Sequence, residues 1–276
     1  MLRQPGRTAM PAFDGAAGAV HYREWPVPEP RATVVFAHGV GEHAGLYDRY
    51  AGQLQDHGIS LRALDQLGHG RTARAAGDGH RGVMTSAADL VADIEQLTAI
   101  AAAADPGVPL ILQGHSLGAI MSAVAASRQP GRYAAAVLSG ATLAEPEGFG
   151  DGGPDVDLGP GNLSADPDYL RWLAEDPLVF TGGPAMTDSL GRVLPAAWAE
   201  LAIALPALDL PVLLVHGEDD PVSPVSGARY WAAVLPQARL AIFPGARHDV
   251  LNDTVHEQVA DVIAQFIARV SGTSDD

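Results

Sequence analysis

Short apolar runs recur along the chain, and each is bounded by glycine, proline or polar residues. Runs of about five or six residues rich in valine, isoleucine and leucine are typical of strands buried on both faces of a parallel sheet. The predicted strands are residues 33–37, 59–64, 109–113, 134–138, 211–215 and 239–243. Helical patterns lie between them. This alternation predicts an α/β fold with a mostly parallel central sheet and helices on both faces.

Two of the predicted helices carry a start signal. Ser86 and Thr254 are predicted N-caps, because an acidic residue follows each of them after three positions. Apolar side chains then recur on one face of each helix. They are Leu90, Ile94 and Leu97 in the first helix, and Val255, Val259, Val262, Ile263, Phe266, Ile267 and Val270 in the last. Both stripes indicate packing against the core.

One long interval, residues 141–205, shows no strand pattern. Glycine, proline and aspartate crowd residues 145–161. Short helices are predicted at residues 167–174 and 194–205. Because sites in α/β sheets lie at the carboxyl ends of the strands, we interpret this interval as a mobile, substrate-selecting helical cap inserted over that edge. The core would then be built in two parts, residues 1–140 and 206–276.

A short motif carries the first candidate chemistry. Residues 114–118 read Gly-His-Ser-Leu-Gly and fit the pattern G-x-S-x-G. The motif follows the predicted strand 109–113 and precedes a helical pattern, which is the strand–turn–helix context of a nucleophile elbow. In such an elbow a sharp turn raises the serine hydroxyl above the sheet. Ser116 is therefore the predicted nucleophile.

A serine hydroxyl needs a base to remove its proton, and the base needs an acid to orient it. In α/β folds with this elbow the acid and then the histidine follow the serine in the chain. His248 lies on the turn after the last predicted strand and is the predicted base. Asp220 lies after the preceding strand, directly before a proline, and is the predicted acid. The neighbouring Asp219 is the alternative.

The same chemistry needs two backbone N–H groups to hold the negative charge that develops on the substrate oxygen. Leu117, directly after the nucleophile, is predicted to supply one of them. The second is expected from the glycine-rich loop 38–43, which follows the first predicted strand, and we assign it to Val40.

A second polar group, Asp65 with His69, follows another predicted strand at the same edge. Together with His38 or His43 it has the residue types of a metal site. The spacing fits no common ligand pattern, so we interpret these residues as braces for the loops around the nucleophile. No metal and no cofactor is expected.

Composition narrows the classes of partner. The net charge of −16 argues against nucleic acid, because phosphate binding needs a basic surface. The chain has no cysteine, which excludes thiol catalysis and disulfides. Neither a signal peptide nor a transmembrane segment is recognisable, so a cytoplasmic location is expected. Transient contact with lipid surfaces stays compatible with the sequence, and the oligomeric state is not indicated.

Taken together, the motifs resemble the monoacylglycerol lipase and lysophospholipase group of α/β-hydrolases. The similar segments are residues 38–43 with Tyr47, 65–70, 114–118, 162–167, 176–179 and 245–248 with Leu251 and Asn252. The resemblance runs from about Phe13 to Val270. It implies the α/β-hydrolase fold and hydrolysis of carboxylic esters with medium or long acyl chains, in an apolar tunnel beneath the cap. It also implies Asp220 rather than Asp219 as the acid, and no cofactor.

Other functions use the same three side chains. An esterase for other substrates, a lactonase, a thioesterase or a perhydrolase would each need Ser116, His248 and Asp220 in these roles. A non-catalytic binding protein of the same fold is a more distant alternative. The partner in all these cases is a small molecule. Covalent labelling by a fluorophosphonate would separate the enzymes from the binding protein.

Overall fold

The computed structural model describes residues 10–144 and 157–272. Its centre is one eight-stranded sheet. The strands are β1 (Ala12–Gly15), β2 (Gly18–Trp25), β3 (Ala32–Ala37), β4 (Ile59–Leu64), β5 (Leu110–His115), β6 (Ala135–Ser139), β7 (Val212–Gly217) and β8 (Ala238–Phe243). Every residue of β3, β4, β5, β6 and β7 is buried, as expected for strands covered on both faces.

The order of the strands in the sheet is β1-β2-β4-β3-β5-β6-β7-β8. The pairs from β4 to β8 are parallel, whereas β1 and β2 form an antiparallel hairpin that joins the edge of β4. The carboxyl ends of the parallel strands therefore meet at one edge. Ala37 is paired with Gly114, and His115 with Ser139, so the loops after β3, β5 and β6 lie side by side there.

The six predicted strands are confirmed, and their ends differ from the predicted ones by at most two residues. The hairpin β1–β2 was not predicted. Most of its side chains are partly or fully exposed, and only Val20 is completely buried. A strand at the rim of a sheet lacks the continuous apolar run that marks a central strand, which explains the omission.

Nine α-helices occur in the described ranges. They are α1 (Asp48–Asp56), α2 (Gly70–Ala76), α3 (Ala87–Ala104), α4 (Leu117–Arg128), α5 (Pro160–Leu163), α6 (Pro167–Glu175), α7 (Pro184–Ala204), α8 (Val225–Val234) and α9 (His256–Val270). The Ser86 hydroxyl accepts the N–H of Asp89, so the predicted cap of α3 is confirmed. Helices α3 and α4 pack against strands of the sheet, and so do α8 and α9.

The prediction that Thr254 is the N-cap of the last helix, α9, is wrong. The helix begins at His256, and the structure shows no side-chain cap for it. The carboxylate of Asp253 accepts the N–H groups of Ala165, Arg247 and Thr254 and thereby fixes the turn that precedes the helix. Thr254 belongs to this turn, and the helix starts two residues later.

Helices α5, α6 and α7 lie between β6 and β7, within the interval that lacks a strand pattern. Residues 145–156, where glycine, proline and aspartate are most frequent, lie outside the described ranges. Helix α6 agrees with the prediction, but α7 begins ten residues earlier than expected. Pro195, a residue type favoured in the first turn of a helix, lies inside α7.

Residues 184–207 are long and apolar enough to cross a membrane, judged by length and composition alone. This is the one such helix in the described part of the chain. Eight side chains of α7 are buried, and the helix packs against α3 and α4. Contacts with the core therefore account for its apolar character.

Candidate active site

The turn at Ser116 joins β5 directly to α4. Ser116 has φ 51° and ψ −119°, a conformation that a residue with a side chain rarely adopts. Its N–H donates to the Ser139 carbonyl oxygen at 2.9 Å, which ties the turn to the end of β6. Such strain costs about 1–3 kcal/mol and persists where the surrounding structure enforces it. The turn leaves the serine side chain half-buried at the carboxyl edge of the sheet.

The glycines on either side of Ser116 have a steric explanation. A Cβ atom on Gly114 would collide with the backbone of Gly118, and one on Gly118 would collide with the backbone carbonyl of Ala37. The start of α4 therefore lies directly against β5 and the end of β3. Only glycine permits this approach, so the motif G-x-S-x-G is a packing requirement of the elbow.

We expect Gly118→Ala to lower the free energy of unfolding by about 2 kcal/mol or more, because backbone atoms cannot move aside for the methyl group. Gly52 is the matched control. It lies inside α1, and a Cβ there would meet no atom within 4 Å. Gly52→Ala should raise the free energy of unfolding by about 0.5–1 kcal/mol, since alanine is the better helix former. Chemical denaturation of both variants measures the difference, and equal effects would contradict this account of the elbow.

His248 lies in the loop between β8 and α9 and is almost completely buried. Its Nε2 is 2.9 Å from the Ser116 Oγ, within hydrogen-bond distance of the hydroxyl. The loop is held from the side of the insertion, because Asn162 and Leu163 accept the backbone N–H groups of His248 and Asp249. The structure therefore brings the predicted base to the predicted nucleophile.

Asp220 completes the row of side chains. Its Oδ2 is 2.9 Å from the His248 Nδ1, and its Oδ1 accepts the N–H groups of Val222 and Ser223. The alternative acid, Asp219, has an exposed side chain. Burial alone would raise the pKa of Asp220, but the charge of His248 and hydrogen bonds from His216, His248 and Ser223 hold it well below its usual value. The carboxylate is thus ionised beside the ring.

The backbone N–H groups of Val40 and Leu117 were predicted to bind the substrate oxygen. Leu117 is the first residue of α4, so its N–H lacks a partner within the helix and lies at the end that favours negative charge. In the described ranges, neither N–H donates to a protein acceptor. Both donors are therefore free, as this role requires.

The loop that carries Val40 is fixed on both sides of that residue. The Gly39 N–H donates to the Glu42 Oε2 at 2.8 Å, and the Gly41 carbonyl accepts the Phe180 N–H at 3.0 Å. The hydrogen bond from Phe180 joins this loop to the part of the insertion that lies between α6 and α7. Glycine is required at position 41, because φ is 81° and a Cβ would collide with the Phe180 carbonyl.

The residues considered for a metal brace these loops instead. Asp65 accepts the N–H groups of Ala44 and Arg71, and the His38 Nε2 accepts the N–H of Gln66 at 3.1 Å. Burial lowers the pKa of His69 to about 4, and the neutral ring donates from Nδ1 to the Leu67 carbonyl.

His43 has its partner on a different element. Its Nε2 is 2.9 Å from the Asp176 Oδ2, so it joins the loop after β3 to the end of α6. The four residues considered together for metal binding therefore have separate partners.

A second polar cluster lies beside His248 and was not predicted. One oxygen each of Glu42 and Asp249 and one ring nitrogen of His115 lie within 4.8 Å of one another, and all three side chains are buried. In the part of the chain that the structure describes, this is the one group with the atoms and the proximity to be considered for a metal. Each carboxylate already accepts two hydrogen bonds, the environment of a structural carboxyl pair. We assign no metal to it.

The sequence contained one usable signal for this cluster, since Glu42 lies in the loop 38–43 and Asp249 directly follows the predicted base. It contained no signal that these two residues meet. They are separated by more than two hundred positions, and neither belongs to a periodic pattern.

The sheet order and the strand–turn–helix elbow are those of an α/β-hydrolase, and Ser116, His248 and Asp220 lie in one hydrogen-bonded row at the carboxyl edge of the sheet. Sequence comparison gives the family. The family described as "Serine aminopeptidase, S33" matches residues 28–255.

Individual relatives narrow the group. The chain is 31% identical over 274 residues to a monoacylglycerol lipase of Mycolicibacterium smegmatis, covering 93% of this chain and 95% of that protein. It is 30% identical over 261 residues to human monoglyceride lipase, covering 85% and 84%. The crystal structure of Paleococcus ferrophilus monoacylglycerol lipase matches with a TM-score of 0.76 at 25% identity, covering 91% of this chain and 99% of that one. The chain belongs to the serine aminopeptidase S33 family, to its monoacylglycerol lipase-like α/β-hydrolases, and is a carboxylic ester hydrolase.

Proposed function

We propose that this protein hydrolyses carboxylic esters with medium or long acyl chains, monoacylglycerols first among them, through an acyl-enzyme on Ser116. The observation that carries the proposal is the unbroken row of hydrogen bonds from Ser116 Oγ to His248 Nε2 and from His248 Nδ1 to Asp220 Oδ2, each at 2.9 Å. The lipase relatives support the class of substrate.

In the first half of the proposed reaction, His248 Nε2 accepts the proton of the Ser116 hydroxyl as the oxygen attacks the ester carbonyl carbon. Asp220 keeps the other ring nitrogen protonated and stabilises the positive charge that the ring gains. The N–H groups of Val40 and Leu117 bind the oxygen that becomes negative. When the tetrahedral intermediate collapses, His248 returns the proton to the leaving alcohol and the acyl group stays on Ser116.

In the second half, a water molecule takes the place of the alcohol. His248 removes a proton from the water, whose oxygen attacks the acyl carbon. The carboxylic acid then leaves, and the proton passes back to the Ser116 oxygen. The same two N–H donors serve both tetrahedral intermediates, so one arrangement supports both steps.

We also propose that residues 141–205 form the substrate-selecting cap and that residues 1–140 and 206–276 form the core. The insertion holds the N–H groups of His248 and Asp249, and Phe180 binds the loop that carries Val40. It therefore contacts two of the loops that carry proposed site residues. Movement of the segments around Asn162, Leu163 and Phe180 would have to break these bonds.

This insertion has ten large apolar side chains, more than a surface loop needs. They differ in how deeply they are buried. Leu173, Leu194, Trp198 and Leu201 are buried in the core, whereas Leu170, Trp172, Val179 and Phe180 are partly buried against it. Leu178 is half-buried, and Ile203 is 83% exposed. The partly buried group supplies the candidates for an acyl-binding wall.

A series of p-nitrophenyl esters and monoacylglycerols of increasing acyl length tests the proposal. Each methylene that enters an apolar tunnel adds about 0.8 kcal/mol, so kcat/KM should rise about three- to fourfold per methylene from acetate and then level off. Phe180→Ala should move the length at which the rise ends while hydrolysis of acetate stays close to the wild-type rate. Ile203→Ala, in the same insertion but exposed, is the matched control and should leave the whole series unchanged.

The same assay separates the alternatives. Lactones, acyl thioesters and perhydrolysis with hydrogen peroxide are measured in parallel, and so is a peptide p-nitroanilide, because the family description names an aminopeptidase. Acetate as the best ester, with Phe180→Ala affecting all lengths equally, would contradict the acyl tunnel. Absence of both turnover and fluorophosphonate labelling would favour the binding protein.

The partner in this proposal is a small-molecule ester, and no nucleic acid, metal or cofactor takes part in it. The cytoplasmic location expected from the sequence stays a prediction.

A further inference from the structure

We propose that Glu42 and Asp249 are positioning residues that form a buried carboxyl pair with a single negative charge, and that this pair holds the Val40 loop and the His248 loop together. The inference rests on the proposed function, because its effect is exerted through the oxygen-binding N–H groups and the base. Neither carboxyl group takes part in the bond changes described above.

Glu42 holds the loop that carries Val40. Its Oε2 accepts the Gly39 N–H at 2.8 Å and the Tyr47 hydroxyl at 2.6 Å. Gly39 directly precedes Val40, so the orientation of the Val40 peptide depends on this carboxyl group. The Oε1 atom is left without a strong partner, and the nearest ring nitrogen, the His115 Nε2, lies 3.9 Å from it.

Asp249 holds the loop that carries His248. Its Oδ2 accepts the Tyr169 hydroxyl at 2.6 Å and the Asn252 amide at 2.9 Å. Its backbone N–H donates to the Leu163 carbonyl at 2.8 Å, and the residue directly follows His248. The Oδ1 atom is buried and has no hydrogen-bond partner in the described structure. Each carboxyl group therefore uses one oxygen for its own loop and has one left for the other.

The groups around the pair leave it without a compensating positive charge. His115 faces both carboxyls, and burial lowers its pKa well below the usual value, so the ring is neutral. Tyr47 and Tyr169 are buried and have raised pKa values, so they too are neutral.

Burial raises the pKa of Asp249 as well, although the hydrogen bonds from Tyr169 and Asn252 oppose this rise, and the nearby charges of His248 and Asp253 act in opposite directions. No arginine forms a salt bridge with Glu42 or Asp249 in the described ranges. Burial, together with the charge of Asp249, raises the pKa of Glu42 from 4.5 to about 8. At neutral pH the pair therefore holds one proton, on Glu42, and one negative charge.

Loss of that proton would place two carboxylates within 4.8 Å of each other in a buried site. Like charges this close repel strongly, and nothing nearby neutralises the second one. The loops that carry Val40 and His248 would then be pushed apart. Since both act in the chemical step, kcat should fall, whereas KM depends mainly on the cap and should change little.

Glu42→Gln tests this directly. The amide has the shape of the protonated carboxyl group: its oxygen can accept from Gly39 and Tyr47, and its NH₂ group can donate to Asp249. In the wild type, kcat should fall at least several-fold as the pH rises through about 8. In Glu42→Gln, kcat at pH 7 should stay close to the wild-type value and the alkaline fall should be absent. Glu257→Gln, an exposed change in the first turn of α9, is the matched control and should keep the fall.

Stability gives a readout that does not depend on activity. Between pH 4.5 and about 8 the folded protein keeps a proton on Glu42 that the unfolded chain has released. The free energy of unfolding therefore falls as the pH rises through this window, and this contribution is constant above it. Glu42→Gln lacks the effect, so the difference in Tm between Glu42→Gln and the wild type should grow from pH 5 to 8 in favour of the variant and then stay level.

Several outcomes would overturn the inference. An alkaline fall in Glu42→Gln identical to that of the wild type, a large loss of kcat in this variant at every pH, or a Tm difference that does not change with pH would each do so. A stoichiometric metal ion in the purified protein, lost with activity on chelation, would also overturn it. If fluorophosphonate labels Ser116 in both the wild type and Glu42→Gln, these outcomes contradict only the inference about the carboxyl pair. If the wild type is not labelled, the proposed function itself is contradicted.

Discussion

Ser116→Ala should lower kcat for every ester substrate by about 10⁶-fold, to a rate close to that of the reaction without the nucleophile. The reason is that no other described hydroxyl is within hydrogen-bond distance of the His248 Nε2. Binding contacts and the N–H groups of Val40 and Leu117 stay in place, so KM should change much less than kcat. Initial rates at saturating ester measure the loss, and fluorophosphonate labelling should disappear with it.

Ser127→Ala is the control for this change, because Ser127 lies near the end of the same helix, α4, and its hydroxyl donates to the Val124 carbonyl of that helix. It should keep both activity and labelling. If Ser116→Ala keeps even a tenth of the wild-type rate, another group is the nucleophile.

Asp220→Asn should lower kcat by about 10⁴-fold although the protein stays folded. The asparagine oxygen can still accept from Val222 and Ser223, and its NH₂ group then faces the His248 Nδ1. That contact favours the tautomer with the proton on Nε2, which cannot accept a proton from Ser116. The loss should therefore appear in kcat while the thermal midpoint changes little. Rates and thermal unfolding of the same preparation separate the two effects.

Asp219→Asn is the matched control, since it makes the same chemical change one residue away on an exposed side chain. Its rate should stay close to that of the wild type. A reversed order, with the sensitive residue at 219, would show that the acid seen beside His248 in the structure is not the one that acts in the reaction.

The sequence-based predictions agree best with the structure where packing allows only one kind of residue at a position. The glycines at 114 and 118 are required by backbone contact, so the motif could be recognised without any knowledge of the fold. The central strands were predictable because burial on both faces demands continuous apolar runs. The choice between Asp219 and Asp220 was harder, because side chains in a turn do not follow a repeating sequence pattern that would show which of them points inward. The family resemblance favoured Asp220, and the structure places the Asp220 carboxylate beside His248.

Features that depend on long-range contacts were missed or misplaced. The β1–β2 hairpin is stabilised by its contacts with β4 and the helices near it, and its own sequence is mostly half-exposed. Helix α7 continues through Pro195 because it is packed against α3 and α4, which overrides the preference of proline for a helix start. The pair of Glu42 and Asp249 exists only once two distant loops meet.

The bonds between the insertion and the site loops have a consequence for protein engineering. The carbonyls of Asn162 and Leu163 receive the N–H groups of His248 and Asp249, and the Phe180 N–H binds the Gly41 carbonyl. A chimera that exchanges the whole insertion for that of a relative would thus also replace partners of the base and of the loop that carries Val40. Such grafts should change the turnover number along with substrate preference. Keeping residues 160–166 and 176–180 native, and exchanging only what lies between them or after them, should vary the contribution of Leu170 and Trp172 to preference while these backbone bonds stay in place.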